Sequence, residues 1–503
     1  MSDTPTTSKL HDAAADPRVR AGDLRPGRVG LSLPASERRL VLVLLDLAAL
    51  NGGLMLTLLL HDIFPISWTL IGRNPGWLVA LNALWFLFAF ALDAYDLRRA
   101  SVLTAAVPSV LQAGALTLLA YLLIPQLSPP LPRSRLVLLA FVAVVLALLV
   151  LGRVLYTTLL SSGHFQRRML IVGAGWAGRT IAQVAHDEGG RGYDTVGFVD
   201  DDPDKLGKAV RVAAAGTRGK RDGLPAPRVL GDRAVIPTLV KQYHVNTVVL
   251  AITHRLNAEF TQVLMDCLEQ GVEIVPMAVM YEQLTGRVPI EHVGDSWYIS
   301  MPIHHSGTGN LYPMAKRLLD LLLAVLGLFV LAVVLPFVAL AIRLDSPGPV
   351  FYLQDRVGKA GTVFRVIKFR TMVAEAEQDG PVWAQLNDRR MTRVGRFLRR
   401  VHLDELPQAI NVLRGEMSAV GPRPERPEFI ERLAEKIPFY RVRHAVKPGM
   451  AGWGFVHQSY ASSTEDTLIK LQYDLYYIKH QSIWLDLVIL LKTVIQSLSF
   501  SGR

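Results

Sequence analysis

Four apolar runs, near residues 40–60, 77–94, 102–124 and 136–160, constrain this chain more than any other feature, because each approaches the ~20 residues a helix needs to cross a bilayer. No small-residue cleavage site follows the first run and its flank is long, so it is expected to be an anchor and not a removable signal peptide. Arg25, Arg28, Arg38 and Arg39 precede the first run, Arg98 and Arg99 lie between the second and third, and Arg167 and Arg168 follow the fourth. The alternate loops carry fewer, Arg73 in one and Arg133 and Arg135 in the other. The positive-inside rule then predicts a cytoplasmic N-terminus and a cytoplasmic chain after the fourth run. Charged residues make up only 19% of the 503 and hydrophobic ones 50%, which argues against an ordinary soluble protein. The net charge of +11 suits anionic lipid, phosphate substrates or nucleic acid. The single cysteine, Cys267, excludes an internal disulfide, and no Cys/His cluster has zinc spacing, so the soluble parts are expected to face a reducing cytosol.

Residues 166 to about 282 alternate short β-branched runs with helical stretches, as in Met169–Val172, Thr195–Val199, Asn246–Ile252 and Val272–Val275, which predicts a doubly wound, mostly parallel sheet. Gly173, Gly175 and Gly178 follow the first of these strands and open a helix, and Asp200 ends the next strand where a ribose-binding acid could sit. Glycines at a tight βα turn also serve packing alone, and Asp200-Asp201-Asp202-Pro203 also reads as a simple turn. A dehydratase built on this domain would want Tyr-x-x-x-Lys on a helix; the match, Tyr312 to Lys316, is interrupted by Pro313 beside an apolar segment. That segment, Leu318 to Ile342, has Asp320 as its only charge, is flanked by Lys316, Arg317 and Arg343, and contains Pro336, which removes a helical hydrogen bond and permits a kink. The last stretch, Ser482 to Phe500, keeps Ser482, Asp486, Thr493 and Ser497 on one helical face and reads equally as an interfacial or a core helix.

The segment from Asp388 to Glu425 is richest in chemistry. Arg389, Arg393, Arg396 and Arg400 recur at four, three and four, which puts four guanidinium groups on one helical face, with Arg390 and Arg399 beside it. A lipid-facing basic stripe accounts for this as well as a substrate does. Leu403-Asp404-Glu405-Leu406-Pro407-Gln408 follows, where Asp404 is predicted to cap a helix that tolerates Pro407 in its first turn and ends at Gly415. A carboxylate at a helix start among arginines is expected to stay ionised at neutral pH, in the region best suited to bind phosphate.

These residues belong to an ordered series: Asp345-Ser346-Pro347-Gly348-Pro349, Lys368-Phe369-Arg370-Thr371-Met372, the acidic pair, Met417-Ser418-Ala419-Val420-Gly421-Pro422-Arg423-Pro424, Pro448-Gly449-Met450-Ala451-Gly452-Trp453, and Tyr473-Asp474-Leu475-Tyr476-Tyr477. In order and spacing the series resembles the bacterial sugar transferases called polyprenyl-phosphate glycosyl-1-phosphate transferases, in their large form. The resemblance implies transfer of a sugar-1-phosphate from a UDP-sugar to undecaprenyl phosphate with Mg²⁺ and release of UMP, starting exopolysaccharide, capsule or O-antigen synthesis. It makes Asp404 the nucleophile and a Mg²⁺ ligand, Glu405 its partner, Lys368, Arg399 and Arg423 phosphate-binding positions, and Lys316-Arg317 the opening of a re-entrant membrane helix. Three departures from the family pattern stand out: Leu335-Pro336 replaces a Ser-Pro kink, Glu416 an Asp, and Gly454-Phe455 an Ala-Gln, with Gln458 the nearest substitute for the glutamine.

The fold expected is a membrane α-helical N-terminal bundle, an α/β Rossmann-like domain, and a mainly α monotopic catalytic domain with a re-entrant membrane helix. The boundaries are 1–39 for a basic tail, 40–160 for four transmembrane helices, 161–310 for the α/β domain with a nucleotide site at Gly173, Gly175 and Gly178, 311–343 for the re-entrant helix, and 344–503 for the catalytic domain. The expected partners are a UDP-sugar, undecaprenyl phosphate and inner-membrane lipid, with no nucleic acid and with room for a homodimer. The catalytic domain is expected to face the cytoplasm. The alternatives are a membrane-tethered NAD-dependent nucleotide-sugar dehydratase and a non-catalytic assembly scaffold.

Overall fold

The apolar runs fold as helices α1 (Ala35–Leu60), α2 (Gly76–Ala91), α3 (Leu103–Leu123) and α4 (Arg135–Leu155). The computed structural model describes residues 35–60, 74–125, 128, 135–160, 166–187, 192–210, 226–252, 258–290, 311–373, 376, 388, 390–458 and 463–498. Arg25, Arg28, Arg73, Arg133 and Arg389 lie outside them. The chain divides into two compact units, Met1–Ala89 with Asp93–Thr285, and Phe90–Leu92 with Gly286–Arg503. Helices α1, α3 and α4 contain stretches long and apolar enough to cross a membrane, whereas α2 has 16 residues, about 24 Å against a hydrocarbon core of about 30 Å. It stops at Ala91 because the chain turns through Asp93, whose φ of 55° is left-handed. Inside the first unit, Arg153 of α4 donates to Asp46 of α1 at 3.0 Å with both side chains fully buried, and Asn51 and Asn82 exchange amide hydrogen bonds. Polar groups this deep among apolar helices fix their rotation, since any other register strands a charge.

The α/β domain is the doubly wound sheet that the alternation predicts. Strands β1 (Arg167–Val172), β2 (Tyr193–Val199), β3 (Val229–Gly231), β4 (Thr247–Leu250) and β5 (Glu273–Pro276) pair in parallel in the order β3-β2-β1-β4-β5. Helices α5 (Trp176–Asp187), α6 (Ile236–Tyr243), α7 (Ala258–Glu269) and α8 (Met277–Thr285) cover it. Met169 and Ile171 pack with α5 and α8 on one face, while Leu170 and Val172 pack with α6 and α7 on the other, the two-fold alternation of a strand buried on both sides. Cys267 is a fully buried core residue of α7. Strand β3, only three residues at the sheet edge, left no periodic trace in the sequence.

The second unit is built on α9 (Leu311–Asp345), a 35-residue helix that continues through Pro336. Around it come the antiparallel hairpin β6 (Phe351–Val357) and β7 (Val363–Phe369), helix α10 (Arg393–Arg400), a 3₁₀ segment Leu403–Gln408 running into α11 (Ala409–Arg414), and strand β8 (Ser418–Val420). Helix α12 (Pro427–Lys436) follows, then β9 (Gly449–Ala451), parallel to β8, and helices α13 (Thr464–Lys479) and α14 (Ile483–Leu498). The unit is mainly helical, as expected. Its core gathers Val420, Ile430, Leu433, Leu471, Leu475 and Ile489.

One face of α9 is fastened to this unit along its length. Near its start, Arg317 donates to the carbonyls of Val412 and Leu413 at 2.9 Å each, satisfying the end of α11, and Asp320 accepts from Ser418 Oγ and Ala419 N at 2.9 Å. Midway, Gly327 lets α11 approach closely, since a Cβ there would lie 3.2 Å from that of Ala409. At its end, Asp345 accepts from the backbone N–H of Val394 at 2.8 Å. The other face exposes Leu318, Leu322, Phe329, Phe337, Leu340 and Leu344, at 60–79%.

Lys316, one of the charges flanking the apolar segment, turns into the unit. It donates to Asp486 Oδ2 at 3.0 Å, Tyr477 Oη at 3.0 Å and the carbonyl of Val420 at 3.1 Å. Asp486 is fully buried and also accepts from Tyr477 at 2.8 Å, so α14 is a core helix and its shared polar face points inward.

Residues 286–290, placed by the sequence boundaries in the α/β domain, pack in the second unit. Val288 and Ile290 are in its core, Val288 N donates to Gln472 O at 3.1 Å, and Trp453 Nε1 donates to Gly286 O at 3.1 Å. A fragment starting at residue 305 loses both side chains and is expected to be about 3–6 kcal/mol less stable than one starting at 286. Urea unfolding of the two fragments in detergent checks this, and equal midpoints would contradict it.

Candidate functional site

A cavity of about 510 Å³ opens in the second unit, and the acidic pair lines it. The Leu403–Gln408 segment repeats every three residues, so Leu403 and Leu406 share a side and pack on the cluster that contains Leu331, Val338 and Ile342 of α9, while Asp404 and Glu405 turn to the cavity. The segment is entered through His402, whose φ of 57° is left-handed, the kind of strain that persists where surrounding contacts hold it. Asp404 is therefore not the helix cap that the sequence suggests. The residue at that place is His402, with no side-chain cap bond, while Pro407 and the left-handed Gly415 stand as expected.

Glu405 is clamped. Lys368 of β7 donates to its Oε1 at 2.9 Å, and Arg423 donates to Oε1 at 2.6 Å and to Oε2 at 3.4 Å. Burial alone would raise its pKa, but Arg423 and Lys368 outweigh burial and hold it far below the usual carboxylate range. Asp404, 8% exposed, makes no hydrogen bond or ion pair among the described residues. Burial, and then the neighbouring charge of Glu405, push its pKa up. The two carboxylates thus differ in kind: one is fixed by two cations, and the other keeps its lone pairs free. Glu405→Gln leaves Lys368 and Arg423 facing each other with Asp404 as the remaining nearby counter-charge. A stability loss of about 2–3 kcal/mol is expected, below the cost for a fully buried pair because Arg423 is a third exposed, and thermal unfolding measures it.

The arginine stripe separates in the structure. Arg393, Arg396 and Arg400 are exposed, whereas Arg399 lines the cavity, with Nε donating to Thr371 Oγ1 at 3.0 Å. The cause is Gly395, where a Cβ would collide with the carbonyl oxygen of Thr371; α10 presses that side against the end of β7 and turns the stripe outward. All five residues assigned to the reaction, Asp404, Glu405, Lys368, Arg399 and Arg423, line the same cavity.

Sequence reasoning missed others. Phe455 lies under the Arg423 guanidinium, 5.7 Å from its ring centroid, and edge-on to His402, so an aromatic face takes the place of the expected glutamine. Gln458 instead donates to Asp466 at the start of α13. Arg443 donates to Asp474 Oδ2 at 2.9 Å and to Tyr440 Oη at 2.6 Å in the cavity wall, and Lys470 and Glu425 line the same wall. Asp474 had one signal, a charge in an otherwise apolar Tyr-Asp-Leu-Tyr-Tyr run; Lys470 had none.

For a metal, no group of three His, Cys, Asp or Glu side chains is close enough among the described residues to form a cage. Mg²⁺ needs only one or two carboxylates when substrate phosphates supply the rest, and the free Asp404 oxygens fit that role.

In the first unit, the glycine loop is explained by packing. Gly173 has φ 105°, and a Cβ on Gly178 would strike the carbonyl oxygen of Gly173, so strand and helix meet only with glycine at both places. Gly175 faces open space. Asp200 accepts from Ala174 N at 2.8 Å and from Lys205 at 3.2 Å, holding the loop with the oxygens that a ribose would need. Tyr312 and Lys316, the other half of a dehydratase reading, belong to the second unit, both on Asp486.

The model of the family described as bacterial sugar transferase matches residues 311–499, and that of a CoA-binding domain matches residues 90–278. The chain is 41% identical over 244 residues to a UDP-N-acetylgalactosamine-undecaprenyl-phosphate N-acetylgalactosaminephosphotransferase of Aeromonas hydrophila, covering 48% of this chain and 55% of that one. It is 42% identical to a UDP-glucose:undecaprenyl-phosphate glucose-1-phosphate transferase of Escherichia coli, covering 39% and 42%. To a protein of the same description from Caulobacter vibrioides it is 42% identical, covering 36% of this chain and 68% of the relative. The chain spans about half the length of the first two relatives.

Proposed function

The chain belongs to the bacterial sugar transferase family, and from that premise we propose that it transfers a sugar-1-phosphate from a UDP-sugar to undecaprenyl phosphate. The observation that carries this is the unpartnered Asp404 carboxylate beside a Glu405 held by Lys368 and Arg423. Asp404 attacks the phosphorus attached to the sugar, the bond from that phosphorus to the bridging oxygen breaks, and UMP leaves with the electron pair. An oxygen of undecaprenyl phosphate then attacks the same phosphorus, releases Asp404 and leaves a lipid diphosphate sugar. Lys368 and Arg423 keep Glu405 ionised and present positive charge to the donor phosphates, and Arg399 does so from the α10 side. Asp404 would hold Mg²⁺, which would supply further neutralisation of the donor diphosphate.

The site also suits two substrates of different solubility. The acidic pair rests on α9 through Leu403 and Leu406, so the helix with the exposed apolar face carries the nucleophile on its back. We read α9 as monotopic, entering and leaving the cytoplasmic leaflet of the inner membrane. What supports this is its attachment at Arg317, Asp320, Gly327 and Asp345 to one unit, which leaves neither end free to reach the far side alone. The product is the lipid-linked first sugar of an exopolysaccharide, capsule or O-antigen.

The relatives differ in sugar, N-acetylgalactosamine in one and glucose in others, so the donor is assigned here only as a UDP-sugar. Purified protein with Mg²⁺, undecaprenyl phosphate and a panel of UDP-sugars is expected to release UMP with at least one donor. No UMP from any donor, with NAD retained through purification, would transfer the case to the dehydratase reading.

A further inference from the structure

Resting on the transferase reading, we propose that Lys470 binds the nucleotide phosphate of the donor, the one that departs in UMP, making the wall around it the nucleotide end of the cavity. Lys470 lines the cavity and makes no hydrogen bond or ion pair among the described residues. The other cations of this wall are engaged. Arg356 donates to Gln354 and Pro424, Arg443 to Tyr440 and Asp474, and Arg423 to Glu405. A half-buried ammonium with three unused donors in a cavity wall suits the acceptor oxygens of a phosphate.

Position makes it the departing phosphate. Lys470 lies on α13 one turn before Asp474, and its stem runs past Gly454, where a Cβ would lie 3.0 Å from Lys470 Cγ. The charges that act on it are Glu425, Arg423, Asp474 and Arg443, and those that act most on Asp404 are Glu405, Lys368, Arg399 and Arg423. Arg423 alone is common to both sets. A diphosphate has the same order: the phosphorus attacked by Asp404 at Arg423, then one bridging oxygen further on the phosphate that leaves, within reach of Arg423 and Lys470. The same cavity is also lined by Phe429, Leu433, Tyr440 and Leu471, an apolar and aromatic surface that suits a nucleoside. Arg399, next to the exposed stripe of α10, acts on Asp404 and is not among the charges that act on Lys470. No bond forms or breaks at Lys470; it lowers the charge on the UMP oxygen as the bridging bond breaks.

The test uses full-length protein in detergent, wild type and Lys470→Met, titrated calorimetrically with UMP and with uridine. Wild type is expected to prefer UMP over uridine, and Lys470→Met to lose about ten- to hundred-fold of that preference while binding uridine as before. The donor KM rises by a similar factor, the KM for undecaprenyl phosphate stays within about twofold, and Lys470→Arg recovers most of the loss. An unchanged UMP-to-uridine ratio, an equal loss for both ligands, or a loss confined to undecaprenyl phosphate would each overturn the assignment, as would a wild type that binds no UMP. If Lys470→Met does not fold, Lys470→Gln replaces it. Failure of the transferase reading is separable: wild type would then release no UMP from any UDP-sugar, and the binding ratio would still decide whether Lys470 holds a nucleotide phosphate.

Discussion

Asp404→Asn is expected to lower UMP release by on the order of 10⁴-fold or more while leaving the protein folded. The retained fold follows from one fact, that the Asp404 carboxylate makes no hydrogen bond or ion pair among the described residues. Its removal therefore strands no donor, and an amide of the same shape is cheaper to bury than a charge. The melting temperature should stay within about 3 °C of wild type. The chemistry is lost, because an amide oxygen is a poor nucleophile and a neutral ligand for Mg²⁺. Glu405→Gln should show the reverse emphasis, with stability falling through the loss of its bonds to Lys368 and Arg423. Quenching wild type with labelled donor and mapping the phospho-sugar to any residue other than Asp404 would defeat the assignment. A pH profile gives a second check. Burial and Glu405 hold the Asp404 pKa above that of free aspartate, so its ionised fraction, and the rate, fall away at a higher pH on the acid side than free aspartate would give.

What could be read from sequence was whatever repeats locally. Apolar runs of about twenty residues became α1, α3 and α4, and strands buried on both faces announced the parallel sheet. Pairings distant in sequence were invisible. Lys316 and Asp486 stand 170 positions apart, so nothing local joined Lys316 to the polar face of α14 or decided between an interfacial and a core helix. Periodicity grouped Arg393, Arg396 and Arg400 correctly on one face but could not tell which face met solvent; the close contact of Gly395 with Thr371 decides it and sends Arg399 inward. The five assigned residues came from ordered motifs, and what no motif could supply was the difference in bonding between Asp404 and Glu405, on which the proposed roles rest. Phe455 shows the same limit, since only the fold places it beneath Arg423.

Single cysteines at Leu311 and Lys359, on a Cys267→Ser background, are expected to share one pattern: no reaction with a membrane-impermeant maleimide in intact cells, and reaction at both after permeabilisation. The two sites bracket α9, and both side chains are exposed. At about 52 Å, α9 is long enough to cross a bilayer outright, so length does not decide its topology. Attachment does. A crossing would require one end to leave the unit, breaking either the contacts of Arg317 and Asp320 with α11 and β8 or the bond from Val394 to Asp345. It would also pull Leu331, Val338 and Ile342 from Phe369 and Leu398, at about 1.5–3 kcal/mol for each buried side chain. Carrying the whole unit across instead would take Asp404 away from cytosolic UDP-sugars. The exposed face from Leu318 to Leu344 still demands hydrocarbon, and a helix embedded in one leaflet meets both demands. Pro336 allows a bend within that leaflet but is not what holds the topology, so Pro336→Ala should leave both cysteines cytoplasmic. Labelling at Lys359 from outside while Leu311 stays protected would refute the monotopic reading, and with it the placement of Asp404 at the interface where a lipid phosphate can reach it.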